Sequence, residues 1–232
     1  MVVKDDSYTS IVNGIKEIKS GYINVINSFK QMLTTGFALA VTMILGVLFF
    51  HNAVMPPMIV ILAGLFFNTI SIYIIGFEPA NKKVLKRQVN KNDEILGHGF
   101  ALDVAVGVIG IVLTSMLAYF FGNKFDFATE YCFVVYVLSV LFMSYSNRTE
   151  KGFYTVDPFK NPFLMFCIAG CIIVLMGMTM IPFVVDFFNP RNSGITLRPL
   201  EIDQILKCAL LALVAPAINE LYKLLKKKYI KI

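Results

Sequence analysis

Charge is scarce in this chain of 232 residues. Asp, Glu, Lys and Arg together make up 16% of it, where a soluble domain carries roughly a quarter. That scarcity excludes a soluble globular enzyme and a disordered binding segment. Four Cys are too few for the framework of a disulfide scaffold. Only two His occur, His51 and His98, and neither has the Cys or carboxylate spacing of a zinc site.

What the chain has instead is apolar side chains, at 57%, and a mean hydropathy of +0.70. One soluble core of this size cannot hold them, so the excess must meet lipid. A net charge of +6 would form a basic face on a nucleic-acid binder. Here the basic residues cluster between long apolar runs, the pattern of a polytopic membrane protein, so the partner is the lipid bilayer and not nucleic acid. Six spans of roughly 20 residues would use about half the chain, leaving no room for a catalytic domain of usual size.

Six apolar runs qualify as spans: 32–50, 57–77, 100–121, 128–146, 161–183 and 203–223. Asn52 and Pro56-Pro57 separate the first two; Gly122, Asn123 and Lys124 separate the third and fourth; Asn189-Pro190 follows the fifth. The basic residues fall in the N-terminal stretch, in the loop from Lys82 to Lys91, in the loop from Arg148 to Lys160, and in the tail from Lys223. Seventeen of the 21 lie on one side by this count; Lys124, Arg191 and Arg198 lie on the other, and Lys207 is inside the sixth span. The asymmetry predicts an integral protein of the cell membrane with both termini cytoplasmic. Residues 1–30 contain no apolar run of the kind a cleavable signal peptide needs. The sequon Asn147-Arg148-Thr149 therefore falls on the cytoplasmic side and is not expected to be glycosylated. The tail lysines read as a positive-inside anchor, with anionic-lipid binding as the alternative.

All four Cys lie within spans, and Cys167 and Cys171 share a helix face at i, i+4. They read as small polarizable packing residues, with a metal or redox pair as the alternative. Pro216 falls mid-span and should kink the sixth helix. Upstream of the first span, Ile11, Ile15, Ile18, Tyr22, Val25, Phe29 and Met32 recur at steps of four and three, while Lys16, Glu17, Lys19 and Lys30 lie off this stripe. No Pro interrupts, so one helix should run from about residue 8 to 50. A helix lying in the membrane interface is the alternative.

Several segments match short motifs of one known protein family. The start, Met1-Val2-Val3-Lys4-Asp5-Asp6-Ser7-Tyr8-Thr9-Ser10-Ile11-Val12, resembles "DMVLxDDNFxxIV", which closes the family's phosphorylation domain. Gly14, Ile15, Ile18, Tyr22 and Ile26 continue it like "AVEEGRxIYxNI". Gly76-Phe77-Glu78-Pro79 with Val84-Leu85-Lys86-Arg87 is similar to "LGFEPPDxDIMKR". Ser146-Asn147-Arg148-Thr149-Glu150-Lys151 resembles "NxRSEK", and Asn161-Pro162-Phe163-Leu164 resembles "NKWLL". Leu197-Arg198-Pro199-Leu200, Ala215-Pro216 and Glu220-Leu221-Tyr222-Lys223 are similar to the tenth helix of the family. The pieces occur in order along essentially the whole chain, and together they resemble P-type cation-transporting ATPases of the calcium-pump-like branch.

The resemblance implies an all-α fold, a polytopic membrane helix bundle of six transmembrane helices, the first extended by a long cytoplasmic stalk helix. Residues 1–31 would be a remnant of the phosphorylation domain and stalk, and 32–232 the membrane domain. No "DKTGT", no "TGDGxND" and no Walker A loop is present. The chain alone is therefore not expected to form the aspartyl-phosphate on which the family runs, and no catalytic residue, cofactor or metal is assigned to it. The expected partner is a separate N-terminal P-type ATPase polypeptide, with a fragment or restarted reading frame as the alternative.

Family members of this branch ligate cations at mid-membrane with carboxylates. Here Gly36 and Leu39 stand where the resemblance puts an Asn and a Glu on the fifth helix, Asn68 stands at an Asp of the sixth, and Val140 near an acid of the eighth. Asp103, Glu130, Asp186, Asp203 and Glu220 all sit near span ends. Asn68 is then the deepest strongly polar side chain. Two readings stand for it with Thr69, Ser71, Thr34 and Thr35: an altered cation pathway, or hydrogen bonding between helices. Glu220, Pro216, Gly76 and Pro79 are expected to be structural, with Glu220 near Lys223 and Lys226.

Overall fold

The computed structural model describes residues 8–79, 99–149, 152, 161–188 and 197–229. Among these it contains only helices and their connections, and six segments are long and apolar enough to cross a membrane. The basic loop 80–98, the remainder of the 150–160 loop, Asn189-Pro190, Arg191, His98 and residues 1–7 lie outside the described residues, as do the family-like segments on them.

The first helix, α1 (Tyr8–Phe50), is continuous over 43 residues, or about 65 Å at 1.5 Å per residue. The second span starts on Pro57 after an extended Pro56, a residue suited to the first helical position because its missing N–H has no partner there anyway. It runs as α2 (Pro57–Leu62), a π-helical turn (Ala63–Asn68) and α3 (Thr69–Gly76). The third and fourth spans are α4 (Phe100–Asn123) and α5 (Ala128–Asn147). The fifth, α6 (Pro162–Met180), stops short of the expected residue 183. Ile181 is extended there and Pro182 opens a separate short helix, α7 (Pro182–Phe188), as expected of a residue preceding proline. Asn161 caps α6 by accepting from the Leu164 N–H at 3.1 Å.

The sixth span divides into α8 (Ile202–Ala212) and α9 (Val214–Tyr229) at Leu213. Pro216 is the cause. It lacks the N–H that would bond the carbonyl four residues back, which is that of Ala212. The hydroxyl of Ser139 on α5 takes up this freed carbonyl, donating to it at 3.5 Å. The expected kink is therefore a break three residues upstream of the proline.

Helix α5 is the centre of the bundle. Its span is 78% buried, against 50% or less for each of the others, and its buried residues between Thr129 and Leu141 are consecutive, so it is enclosed on every side. The helices alternate in direction, so one end of the bundle gathers residue 24, residues 76–78, 99–103, 146–148, 161 and 219–226; call this the termini end. The far end gathers residues 50–57, 123–130, 180–188 and 197–203.

Helix α1 reverses the arrangement its pattern suggests for a water-soluble setting. The stripe Ile11, Ile15, Ile18, Tyr22, Val25, Phe29 and Met32 is exposed, whereas Ser20, Asn24, Asn27, Lys30 and Gln31 are buried against the rest of the chain. In a bundle surrounded by lipid the apolar face points outward and the polar face inward, which accounts for the part of the stripe beside the other spans, Val25, Phe29 and Met32. Contact with the second span begins at Asn24, whose amide donates to the carbonyls of Glu78 at 2.7 Å and Gly76 at 3.3 Å. Ser28 follows, donating to Ile72 at 3.2 Å. Packing of α1 into the membrane domain thus starts about two helical turns before residue 32.

Glu78 ties four segments together at the termini end. Its carboxylate meets the Arg148 guanidinium at 3.4 Å and accepts from the Asn161 amide at 2.8 Å, while its carbonyl holds Asn24. Gly76 therefore acts through its main-chain oxygen, and Glu78 through both its main-chain oxygen and its carboxylate; Pro79 is exposed beside them.

The α4–α5 connection is tight enough to require glycine. The Gly122 carbonyl accepts from Phe125 at 2.9 Å and from Phe127 at 3.0 Å. A Cβ on Gly122 would lie 2.7 Å from the Phe127 carbonyl oxygen and 2.8 Å from the Ala128 Cα. Both are backbone atoms and cannot swing away. Gly122→Ala should therefore destabilise the bundle by about 1–3 kcal/mol, the usual cost of overpacking, read as a lowered Tm in detergent; an unchanged Tm would show that the turn is not this close.

Candidate ion-pathway site

The π turn puts an extra residue into the second span just where Asn68 faces the bundle. Asn68 is 6% exposed. Its side-chain amide donates to the Tyr136 hydroxyl oxygen at 3.0 Å. The phenol carries a single proton, and the Thr35 carbonyl accepts it at 3.0 Å; Asn68 Oδ1, at 3.1 Å, is the alternative acceptor. Three spans thus meet at mid-depth through Asn68, Tyr136 and Thr35.

The sequence-expected residues divide into two sets. Asn68, Thr35 and Ser71 belong to this centre, with Ser71 donating to the Asn68 carbonyl at 2.7 Å. Thr35 contributes its carbonyl, because its own hydroxyl donates back to Gln31 at 3.0 Å. Thr34 is fully buried and its hydroxyl has no partner among the described residues. It packs on Gly107 of α4, where a Cβ would come within 2.7 Å of the Thr34 methyl carbon. Thr69 is half-buried and takes no part in these bonds among the described residues.

The larger feature is a polar seam running from this centre to the termini end. Gln31 of α1 donates to Ser71 at 3.4 Å and to the Val140 carbonyl at 3.1 Å. Its Oε1 accepts from Asn147 at 2.8 Å. Asn147 Oδ1 accepts from Asn219 at 3.1 Å, and Asn219 also donates to the Ser146 hydroxyl at 2.8 Å. Ser146 donates to Glu220. Lys223 closes the seam, donating to the Ser146 carbonyl at 2.6 Å, its hydroxyl at 2.9 Å and Glu220 at 2.8 Å. Glu220 therefore meets Lys223 as expected, while Lys226 turns elsewhere: it pairs with Asp103 at 2.6 Å, and Lys30 reaches the other oxygen of that carboxylate at 3.4 Å.

Tyr136, Gln31, Asn147, Ser146 and Asn219 were not legible as site residues. Tyr136 lies inside an otherwise apolar run, and a mid-span tyrosine with an oxygen to satisfy is the signal that points to it. Gln31 sits one residue outside the expected first span. The others are ordinary polar residues whose partners lie on distant helices.

Chemically, the centre offers neutral oxygens: the Asn68 amide, the Tyr136 hydroxyl, the Thr35 carbonyl and, one residue away, the Thr34 hydroxyl. The described carboxylates stand near the ends of the spans, as Glu78, Asp103, Glu130 and Glu220 show. No group of three His, Cys, Asp or Glu able to hold a metal ion occurs among the described residues. Cys132, Cys171 and Cys208 are buried, Cys167 is half-buried, and all four are free.

Residues 52–225 match the family described as "Cation transporting ATPase, C-terminus", and the chain belongs to that family. It is similar to Calcium-transporting ATPase 1 of Bacillus cereus, 23% identical over 98% of this chain and 27% of that protein. The human Calcium-transporting ATPase type 2C member 1 is 24% identical over 89% of this chain and 22% of its own length. Calcium-transporting ATPase 1 of Saccharomyces cerevisiae is 23% identical over 98% and 24%. The chain spans about a quarter of the length of these relatives. It is an integral membrane protein corresponding to their membrane-embedded C-terminal part.

The Asn68–Tyr136–Thr35 centre makes a stability prediction. Tyr136→Phe keeps the ring but leaves the Thr35 carbonyl and an Asn68 N–H without their partner. It should cost about 1–3 kcal/mol. A double-mutant cycle with Asn68→Leu should return a coupling of about 0.6–2 kcal/mol, the range for hydrogen bonds between membrane helices. Additive effects in that cycle, measured by denaturant titration in micelles, would disconnect the two residues.

Proposed function

We propose that the chain supplies part of the ion-translocating bundle of a P-type cation transporter, and that the centre at Asn68, Tyr136 and Thr35, with Thr34, Thr69 and Ser71 beside it, lines the cation's path. The observation that carries this reading is the convergence of neutral oxygens at mid-depth against a π-helical interruption of the second span, since π turns inside α-helices are frequent at functional sites. The names of the relatives make calcium the first cation to test.

Calcium takes six to eight oxygens, with carboxylates supplying charge. The centre brings oxygens without that charge, so on this reading the remaining ligands, ATP binding and phosphorylation come from elements outside these 232 residues, and a separate N-terminal P-type ATPase polypeptide is the proposed source. On the same reading these residues by themselves hydrolyse no ATP, since the family's phosphorylation motifs are not among them. A second reading has its own support: the seam's polar groups bond one another from Asn68 to Lys223, as they would in a structural or regulatory membrane protein that no longer transports.

The chain is to be expressed with a polypeptide carrying the phosphorylation motifs, and ATP-driven uptake of radiolabelled calcium measured in inverted vesicles. Uptake that depends on the chain and falls about tenfold in Asn68→Ala, the effect of losing about 1.4 kcal/mol of binding, supports the pathway. Chain-dependent uptake that is indifferent to Asn68 and Thr34 removes the pathway from this centre. Absence of uptake in every pairing favours the second reading.

The basic-residue asymmetry supports placement in the cell membrane with both termini in the cytoplasm. Membrane-impermeant thiol labelling should modify Asn123→Cys in intact cells and Glu17→Cys only after lysis. The reverse pattern overturns this orientation.

A further inference from the structure

At the far end of the bundle, α4, α5 and α8 leave a recess of about 500 Å³ between them, within the range of sites that hold small amphiphilic molecules. Its floor is apolar, made by Ala118, Phe121, Val135, Cys208 and Leu211. Its mouth carries charge from the first turns of α8: Glu201, Asp203 and Lys207. Glu201 is held there by a capping box, in which its carboxylate accepts from the Gln204 backbone and Gln204 accepts from the Glu201 N–H at 2.9 Å. Asp203 and Lys207 pair with each other one turn apart, with side chains 71% and 66% exposed. A pair so exposed is weak and opens readily.

We propose that this recess is a binding site for a phospholipid whose headgroup carries a primary amine. The apolar floor takes the upper part of an acyl chain. Lys207 takes the phosphate, and Asp203, with Glu201 behind it, takes the ammonium. The charge at the mouth selects this ligand: two carboxylates and one ammonium leave an excess of one negative charge, which favours a headgroup presenting a cation. A primary ammonium donates hydrogen bonds to Asp203, whereas a quaternary ammonium has no N–H to donate, and a glycerol headgroup has no positive charge. Lipid is the occupant to expect there, because the recess lies between helices long and apolar enough to cross a bilayer. The proposal does not depend on whether the chain transports ions.

The test uses the full chain in nanodiscs containing equal parts of phosphatidylethanolamine, phosphatidylcholine and phosphatidylglycerol with matched acyl chains. Native mass spectrometry then reads which lipid stays bound. The ethanolamine lipid should be retained about fivefold over either of the others, the selectivity of one charge-assisted hydrogen bond at a partly exposed site. Asp203→Asn should bring it level with the choline lipid. Leu211→Trp, which fills the recess, should abolish retention of all three. Leu206→Trp, on the exposed side of the same helix, should leave retention as it was. Equal retention of the three lipids by the unsubstituted chain overturns the proposal, as does retention that survives Leu211→Trp or is lost equally in both tryptophan variants.

Discussion

A side-chain amide inside hydrocarbon has no water to turn to, so it must find its partners within the protein. Gln31 is where this constraint falls hardest. It is fully buried, and its amide and carbonyl reach two other spans at once, the second through Ser71 and α5 through Val140 and Asn147. Each of those partners has a demand of its own, and meeting it brings in Asn68, Asn219 and Ser146. The seam that results sets the rotation of α1, the second span, α5 and α9 about their own axes more narrowly than apolar packing against lipid-like side chains could, because hydrogen bonds have direction and dispersion contacts do not.

The same constraint explains why charge gathers at the termini end. Asp103 is shared by Lys30 and Lys226, Glu78 by Arg148 and Asn161, and Glu220 by Lys223 and Ser146. Ions buried in pairs contribute little net stability, but removing one partner is costly. Their effect is therefore to fix which helices are neighbours. With α5 enclosed by the rest and pinned at this end through Arg148 and Ser146, the centre at Tyr136 is held at a set depth.

Hydropathy alone made the six spans legible, because a run of apolar residues long enough to cross a bilayer has few other uses. The single helix from residue 8 to 50 was legible too, from an unbroken 3.6-residue period without proline. The facing of its stripe was not. A period says that one side is apolar without saying whether that side meets a core or lipid, and in α1 it points outward. The break at Leu213 shows a similar limit. Pro216 announces a disruption, but its position is set by which carbonyl loses its bond, and that lies four residues back. Within the site, Asn68 stood out because nothing comparable lies so deep in the second span. Its partner Tyr136 did not, since the contact joins residues 68 apart in sequence and no local pattern encodes such a pair.

The seam also has a consequence for assembly in time. Ribosomes add residues in order, at about 5–20 per second. Gln31 and Asn147 are 116 residues apart, so the first helix is complete for about 6–23 s before its main partner on α5 has been made, and Lys223 arrives later still. During that interval α1 carries an amide whose bonds to α5 do not yet exist, after an ammonium on Lys30 has waited 73 residues for Asp103, and neither group can be left facing lipid. Among these six spans, the one synthesised first is consequently among the last to reach its final surroundings, and its settling in the bundle waits on the chain that follows it.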